Sequence, residues 1–235
     1  MATAPSRSKL FFFFFISGFC GLVYQIVWSR MAMGCFGVTT PILSAVVSVF
    51  MLGLALGSWA GGRWIWPMVR RSGRSPLFFY AVAEAVIGLG AFAAPHLLQW
   101  GEQQLRGLPT SNSTVYLAGA ILAIGVSLLP WCLAMGTTFP VVFAFLHETE
   151  DGPGLKFSFL YTANVVGALS GVAAVLVLIE TVGFHHALFV AGTLNFLIAA
   201  LAFVSSGEPK MNHRFLPRMF PRPFRAEPPC LPSFS

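Results

Sequence analysis

Six apolar stretches, each long enough to cross a bilayer, fill the chain from Leu10 to Val204. A helix needs about 20 mostly apolar residues to span the hydrocarbon core. The candidate spans are Leu10–Met33, Ile42–Gly62, Leu77–Gln99, Val115–Leu146, Phe157–Ile179 and His185–Val204. Runs such as 11–16 and 173–179 are apolar at every position, whereas a barrel strand alternates apolar and polar residues. Helices satisfy their own backbone hydrogen bonds in lipid, so the expected fold is an all-α polytopic membrane protein. Composition agrees. Hydrophobic residues make up 56% and charged residues 9% of the 235, more apolar surface than a water-soluble domain of this size can hide.

Charge placement sets the expected orientation. Basic residues stay on the cytoplasmic side of membrane segments. With the N-terminus inside, the inner set is Arg7, Lys9, Arg63, Arg70, Arg71, Arg74, Lys156, Lys210, Arg214, Arg218, Arg222 and Arg225. Only Arg30 and Arg106 remain outside. Both termini are therefore expected in the cytoplasm of a bacterial-type inner (plasma) membrane, with residues 1–9 as a short inner segment. The first apolar stretch lacks a small-x-small cleavage site after it, so it is expected to remain as the first helix.

Residues 10–206 form the expected six-helix membrane domain, in two groups of three. The fourth span contains Pro130 and Pro140, and each removes a backbone hydrogen bond, so a kink or break is expected there. Residues 207–235 form a basic, proline-rich tail. Its prolines exclude a continuous helix. Arg214, Arg218, Arg222 and Arg225, interleaved with Phe220 and Phe224, suit either anionic lipid or a cytoplasmic protein partner.

Four blocks carry a resemblance. They are 17–30 (SGFCGLVYQIVWSR), 36–40 (FGVTT), 50–58 (FMLGLALGS) and 61–63 (GGR), joined by 80–88 around Glu84, 135–140 (MGTTFP) and 161–168 (YTANVVGA). Together they resemble the membrane part of the spermidine-synthase-like proteins, in which a major-facilitator-like helical region is fused to an aminopropyltransferase domain. The resemblance covers roughly residues 10–205 and implies a major-facilitator-like half. Family members continue into a soluble Rossmann-like domain that binds decarboxylated S-adenosylmethionine and a polyamine. After Gly207 this chain has only its tail, so it is expected to be no enzyme and to hold no cofactor. The loop after the second span, 62–74, also lacks the aspartate of the major-facilitator signature.

A carboxylate inside a span is a functional candidate by default. Glu84 lies about eight residues into the third span. It is read as a ligand for a cation or proton, as a partner of Arg63, or as a protonated, hydrogen-bonded acid. Arg30 and Glu180 fall at one boundary depth and suit an ion pair or a substrate gate. Gln25, Asn164 and Asn195 need amide partners within helices. Gly53, Gly57 and Gly61, and Gly167 with Gly171, have the spacing that lets helix backbones approach. Adjacent His185 and His186 point in different directions on a helix and make a poor metal pair, and His96 is placed near the interface. Cys20, Cys35, Cys132 and Cys230 form no CxxC. No metal site and no nucleic-acid partner is expected.

Three functional readings follow. The first is a non-catalytic membrane subunit that packs among other membrane protein subunits and lipids. The second is a transporter or polyamine-binding module using Glu84. The third is the membrane half of a split aminopropyltransferase.

Overall fold

In a computed structural model the chain is described over residues 7–107, 112–149 and 154–206. Five helices make up the described residues: α1 (Arg7–Phe36), α2 (Thr40–Ser72), α3 (Pro76–Arg106), α4 (Ser113–Thr149) and α5 (Gly154–Ser205). All five are long and apolar enough to cross a membrane. Local chemistry sets several boundaries. Prolines occupy the first turns of α2 and α3, where a missing N–H costs nothing. The Ser75 hydroxyl accepts from the Leu77 amide at 3.3 Å to cap α3. Gly73 closes α2 in the left-handed conformation (φ 64°), its amide donating to the Val69 carbonyl at 2.9 Å.

The structure refines the sequence expectation in two places. The spans Phe157–Ile179 and His185–Val204 were expected as separate helices; both lie within α5, 52 residues long, as two helical arms joined at Gly183. At about 1.5 Å per residue such a helix greatly exceeds the membrane core if straight. It is interrupted at Gly183, whose φ of 79° and ψ of 174° are not helical and favour glycine. Ring contacts show the consequence. Phe159 lies 4.8 Å from Phe11, and Phe203 lies 5.9 Å from Phe78. Phe13 and Phe14 in turn stack on Tyr80, so both ends of α5 reach the same end of the bundle and the chain doubles back at Gly183.

The second concerns α4, where a kink or break was expected: the helix continues through Pro130 and Pro140 without a break. Each proline leaves the carbonyl four residues earlier, at Val126 and Gly136, without its helical donor. Nearby hydroxyls bond other carbonyls of the helix, Ser127 donating to Ala123, Thr137 to Ala134 and Thr138 to Met135.

The packing does not separate the first three spans from the rest. α1 packs chiefly on α5, α2 on α4, and α3 against both α4 and α5. Backbone proximity explains these pairs. A Cβ on Gly57 would sit 2.9 Å from the Gly136 Cα, and one on Gly61 3.1 Å from the Thr137 Cα. A Cβ on Gly171 would sit 3.1 Å from the Phe19 Cα. By contrast α1 makes little contact with α2 or α4. That seam holds the candidate site.

Candidate functional site

One face of α3 turns inward. Tyr80, Glu84, Ile87, Gly88, Ala91, Pro95 and Leu98 recur at three- and four-residue steps and are all buried. Glu84 is 0% exposed. Its Oε1 accepts from the Ser17 hydroxyl of α1 at 2.8 Å, and its Oε2 accepts from the Asn195 side-chain amide of α5 at 2.5 Å. Asn195 Oδ1 accepts in turn from the Tyr24 hydroxyl at 2.8 Å. Cys20 donates to the Ala191 carbonyl at 3.5 Å on the same side.

The helical period explains this convergence. Ser17, Cys20 and Tyr24 lie three and four residues apart on α1, and Ala191 and Asn195 lie four apart on α5. Close approach is secured by Gly88 and Gly192: a Cβ on Gly88 would meet the Gly192 carbonyl at 3.3 Å. Tyr80, one turn before Glu84, is fully buried and turns its hydroxyl towards Glu84 and Ser17, close to both but without a well-formed hydrogen bond.

Beside this network lies a cavity of ≈ 930 Å³, at the upper end of ordinary ligand pockets. It follows the seam and is bordered by all five helices. Its polar lining consists of Ser17, Gln25, Ser58, Thr138 and Asn164, and its aromatic lining of Phe50, Phe139, Phe143 and Tyr161. Ser58, Gly62 and Tyr161 are exposed, so the cavity communicates with the surroundings. Ser17 belongs to both features. Its hydroxyl donates to Glu84, and the residue also lines the cavity.

The structure brings some of the sequence candidates together and leaves others apart. Gln25 and Asn164 line the cavity with Ser17. Arg63 is exposed, while the oxygens of Glu84 are engaged by Ser17 and Asn195. The expected pairing of Glu84 with Arg63 is thus replaced by uncharged donors, because the inward face of α3 meets α1 and α5 rather than α2. Arg30 and Glu180 are both exposed, and among the described residues no ion pair joins them. The ion pair at that end is Arg106 with Glu102, one turn apart on α3.

Gly53, Gly57 and Gly61 face α4, and Gly167 and Gly171 face α1 at Phe15 and Phe19. Arg214, Arg218, Arg222, Arg225, Phe220 and Phe224 lie outside the described residues. His96 joins His185 and His186 around a smaller cavity of ≈ 280 Å³. Among the described residues no three metal-ligating side chains are placed to hold a metal ion.

Sequence reasoning missed the role of Ser17, Tyr24 and Tyr80. The available signal was their spacing. Ser17, Cys20 and Tyr24 fall on one helical stripe of α1, three and four residues apart.

Comparison with known proteins gives one informative match. A 195-residue alignment covering 79% of the chain is 27% identical to polyamine aminopropyltransferase 2 of Streptomyces coelicolor. The chain spans about a third of that protein's length (32%). The match supports a relationship to spermidine-synthase-like proteins. No protein-family model and no solved structure matches the chain.

Proposed function

We propose that the chain is a non-catalytic membrane module of a polyamine-related protein, and that its cavity binds an organic amine. Its six membrane passages form a major-facilitator-like half with both termini on the cytoplasmic side. The observation that carries this reading is the shared Ser17. A hydroxyl that donates to Glu84 retains lone pairs to accept an ammonium N–H from the cavity, so it couples a bound cation to a carboxylate that the ligand does not touch.

The remaining lining suits such a ligand. The side-chain carbonyls of Gln25 and Asn164 accept hydrogen bonds, and the faces of Phe139, Phe143 and Tyr161 attract cations. The Streptomyces protein is named for polyamines, which are flexible aliphatic ammonium ions. This agreement is the reason to begin with polyamines.

Equilibrium binding of radiolabelled spermidine to the chain in lipid nanodiscs tests the reading. Saturable binding at one site per chain is expected, strongly weakened in Glu84→Gln and in Ser17→Ala. No binding to the wild type, or equal binding by wild type and Glu84→Gln, refutes it.

A further inference from the structure

We propose that Glu84 is a cation-exchange site, at which an amine entering the cavity displaces one inorganic monovalent cation, a proton or sodium, held among Glu84, Ser17 and Tyr80. The displacement half of this proposal rests on the amine-binding reading above; the inorganic site does not.

The argument begins with charge balance. An isolated carboxylate in an apolar interior is costly unless something positive accompanies it. Glu84 is 0% exposed. The groups facing it are Ser17, Cys20 and Tyr24 from α1, Tyr80 from its own helix and Asn195 from α5. None is cationic. With no cation beside it among the described residues, an ionised Glu84 needs its compensating charge from a bound proton or cation.

A second observation shows where it sits. The Tyr80 hydroxyl is fully buried and lies against both Ser17 and Glu84 without a well-formed hydrogen bond to either. Buried polar atoms are rarely left in this state, and each exception asks for an occupant. Carboxylate and hydroxyl oxygens form a hard donor set, suited to a proton or a small hard cation rather than a soft metal. The one sulfur nearby, on Cys20, is occupied with the Ala191 carbonyl.

The cavity is lined by Ser17 and not by Glu84 or Tyr80, so an alkylammonium ion held in it docks on Ser17. Both cations depend on the same single negative charge. They therefore compete: one inorganic cation leaves for each ammonium group that docks on Ser17. By linkage, each then weakens the affinity for the other.

The test uses the whole chain in nanodiscs. Spermidine binding is measured against sodium at fixed pH, and against pH without sodium between about pH 5.5 and about pH 7.5, where aliphatic amines stay protonated. Infrared difference spectra of the Glu84 carboxyl are recorded in the absence of amine. The expected result is an apparent Kd that rises about tenfold for each tenfold increase in one of the two cations, as simple competition requires. The arm that responds identifies the cation. In Tyr80→Phe this competition is expected to weaken while spermidine still binds when the competing cation is scarce.

Amine binding that needs Glu84 but is flat against sodium and pH overturns the exchange and leaves the proposed function standing. An infrared response of Glu84 to either cation without any amine binding overturns the proposed function and the exchange, and leaves only the inorganic site.

Discussion

The pair α2–α4 and the trio α1–α3–α5 are built from the same apolar material but are joined in different ways. Between α2 and α4 the contact runs along Gly53, Gly57, Gly61 and Gly136, with backbone against backbone. No side-chain hydrogen bond is recorded between these two helices among the described residues. The trio also uses glycines, at Gly167 and Gly171, yet it concentrates the interhelical side-chain bonds: Ser17 to Glu84, Asn195 to Glu84 and Tyr24 to Asn195. Packing alone can hold two helices together in lipid, where no hydrophobic gain distinguishes helix from solvent. Polar groups at that depth are costly to maintain. These three bonds are confined to one side of the seam, where α1, α3 and α5 meet.

The sharpest way to break the comparison is to enlarge a contact glycine. Gly57→Leu forces a side chain into the α4 backbone at Leu133 and Gly136, and a loss of about 3 kcal/mol or more is expected, beyond ordinary overpacking. Thermal unfolding in detergent would show it as aggregation or a large fall in Tm. The exposed neighbour Gly62, with nothing within 4 Å of a Cβ, is the control.

On the other side of the seam, Glu84→Gln is expected to leave the fold intact and to weaken amine binding about tenfold or more, because the negative charge that strengthens the Ser17 hydroxyl as an acceptor is lost. Isothermal titration with spermidine reads this directly. If it unfolds the chain instead, the trio is as structural as the pair and the distinction fails.

Asn195→Leu leaves one Glu84 oxygen and the Tyr24 hydroxyl without partners, and a cost of about 1–3 kcal/mol is expected. Tyr24→Phe removes a single outer bond and should cost about 1 kcal/mol. Reversible unfolding in mixed micelles can rank the two. The smallest effect belongs to Gly21→Ala. Gly21 lines the cavity and has open space beside it, so stability should change by less than about 0.5 kcal/mol, with any change in spermidine affinity reporting the added methyl.

Much of the fold was legible because lipid imposes long apolar runs, and five helices fall where those runs predicted them. The tightness of the last connection was not legible. Gly183 looks like an ordinary loop glycine in sequence but serves as a one-residue reversal between the two helical arms of α5. Nor does the sequence show that α4 runs on through Pro130 and Pro140, since it displays the missing N–H groups but not the packing that keeps the helix going.

At the candidate site, Glu84 was conspicuous as a lone carboxylate in a span. Its partners were not. Ser17 and Tyr24 are ordinary polar residues until the bundle sets α1 beside α3 and α5, and periodicity within one helix says nothing about which helix will face it. The exposed Arg63 shows the same limit, because a plausible depth match became a pairing expectation without knowledge of which face of α2 turns inward.

The hydrogen bond between Asn195 and Glu84 joins residues 111 positions apart, and this separation bears on how the protein is made. α3 is synthesised and must enter the bilayer long before the second arm of α5 has left the ribosome. During that interval Glu84 has Ser17 but not Asn195, so the nascent bundle carries a half-partnered carboxylate in its interior. Completion of the last arm is what closes it. A chain halted ahead of Asn195 would expose that unfinished surface to the quality-control proteases of the membrane, which makes the final helical arm a checkpoint for assembly.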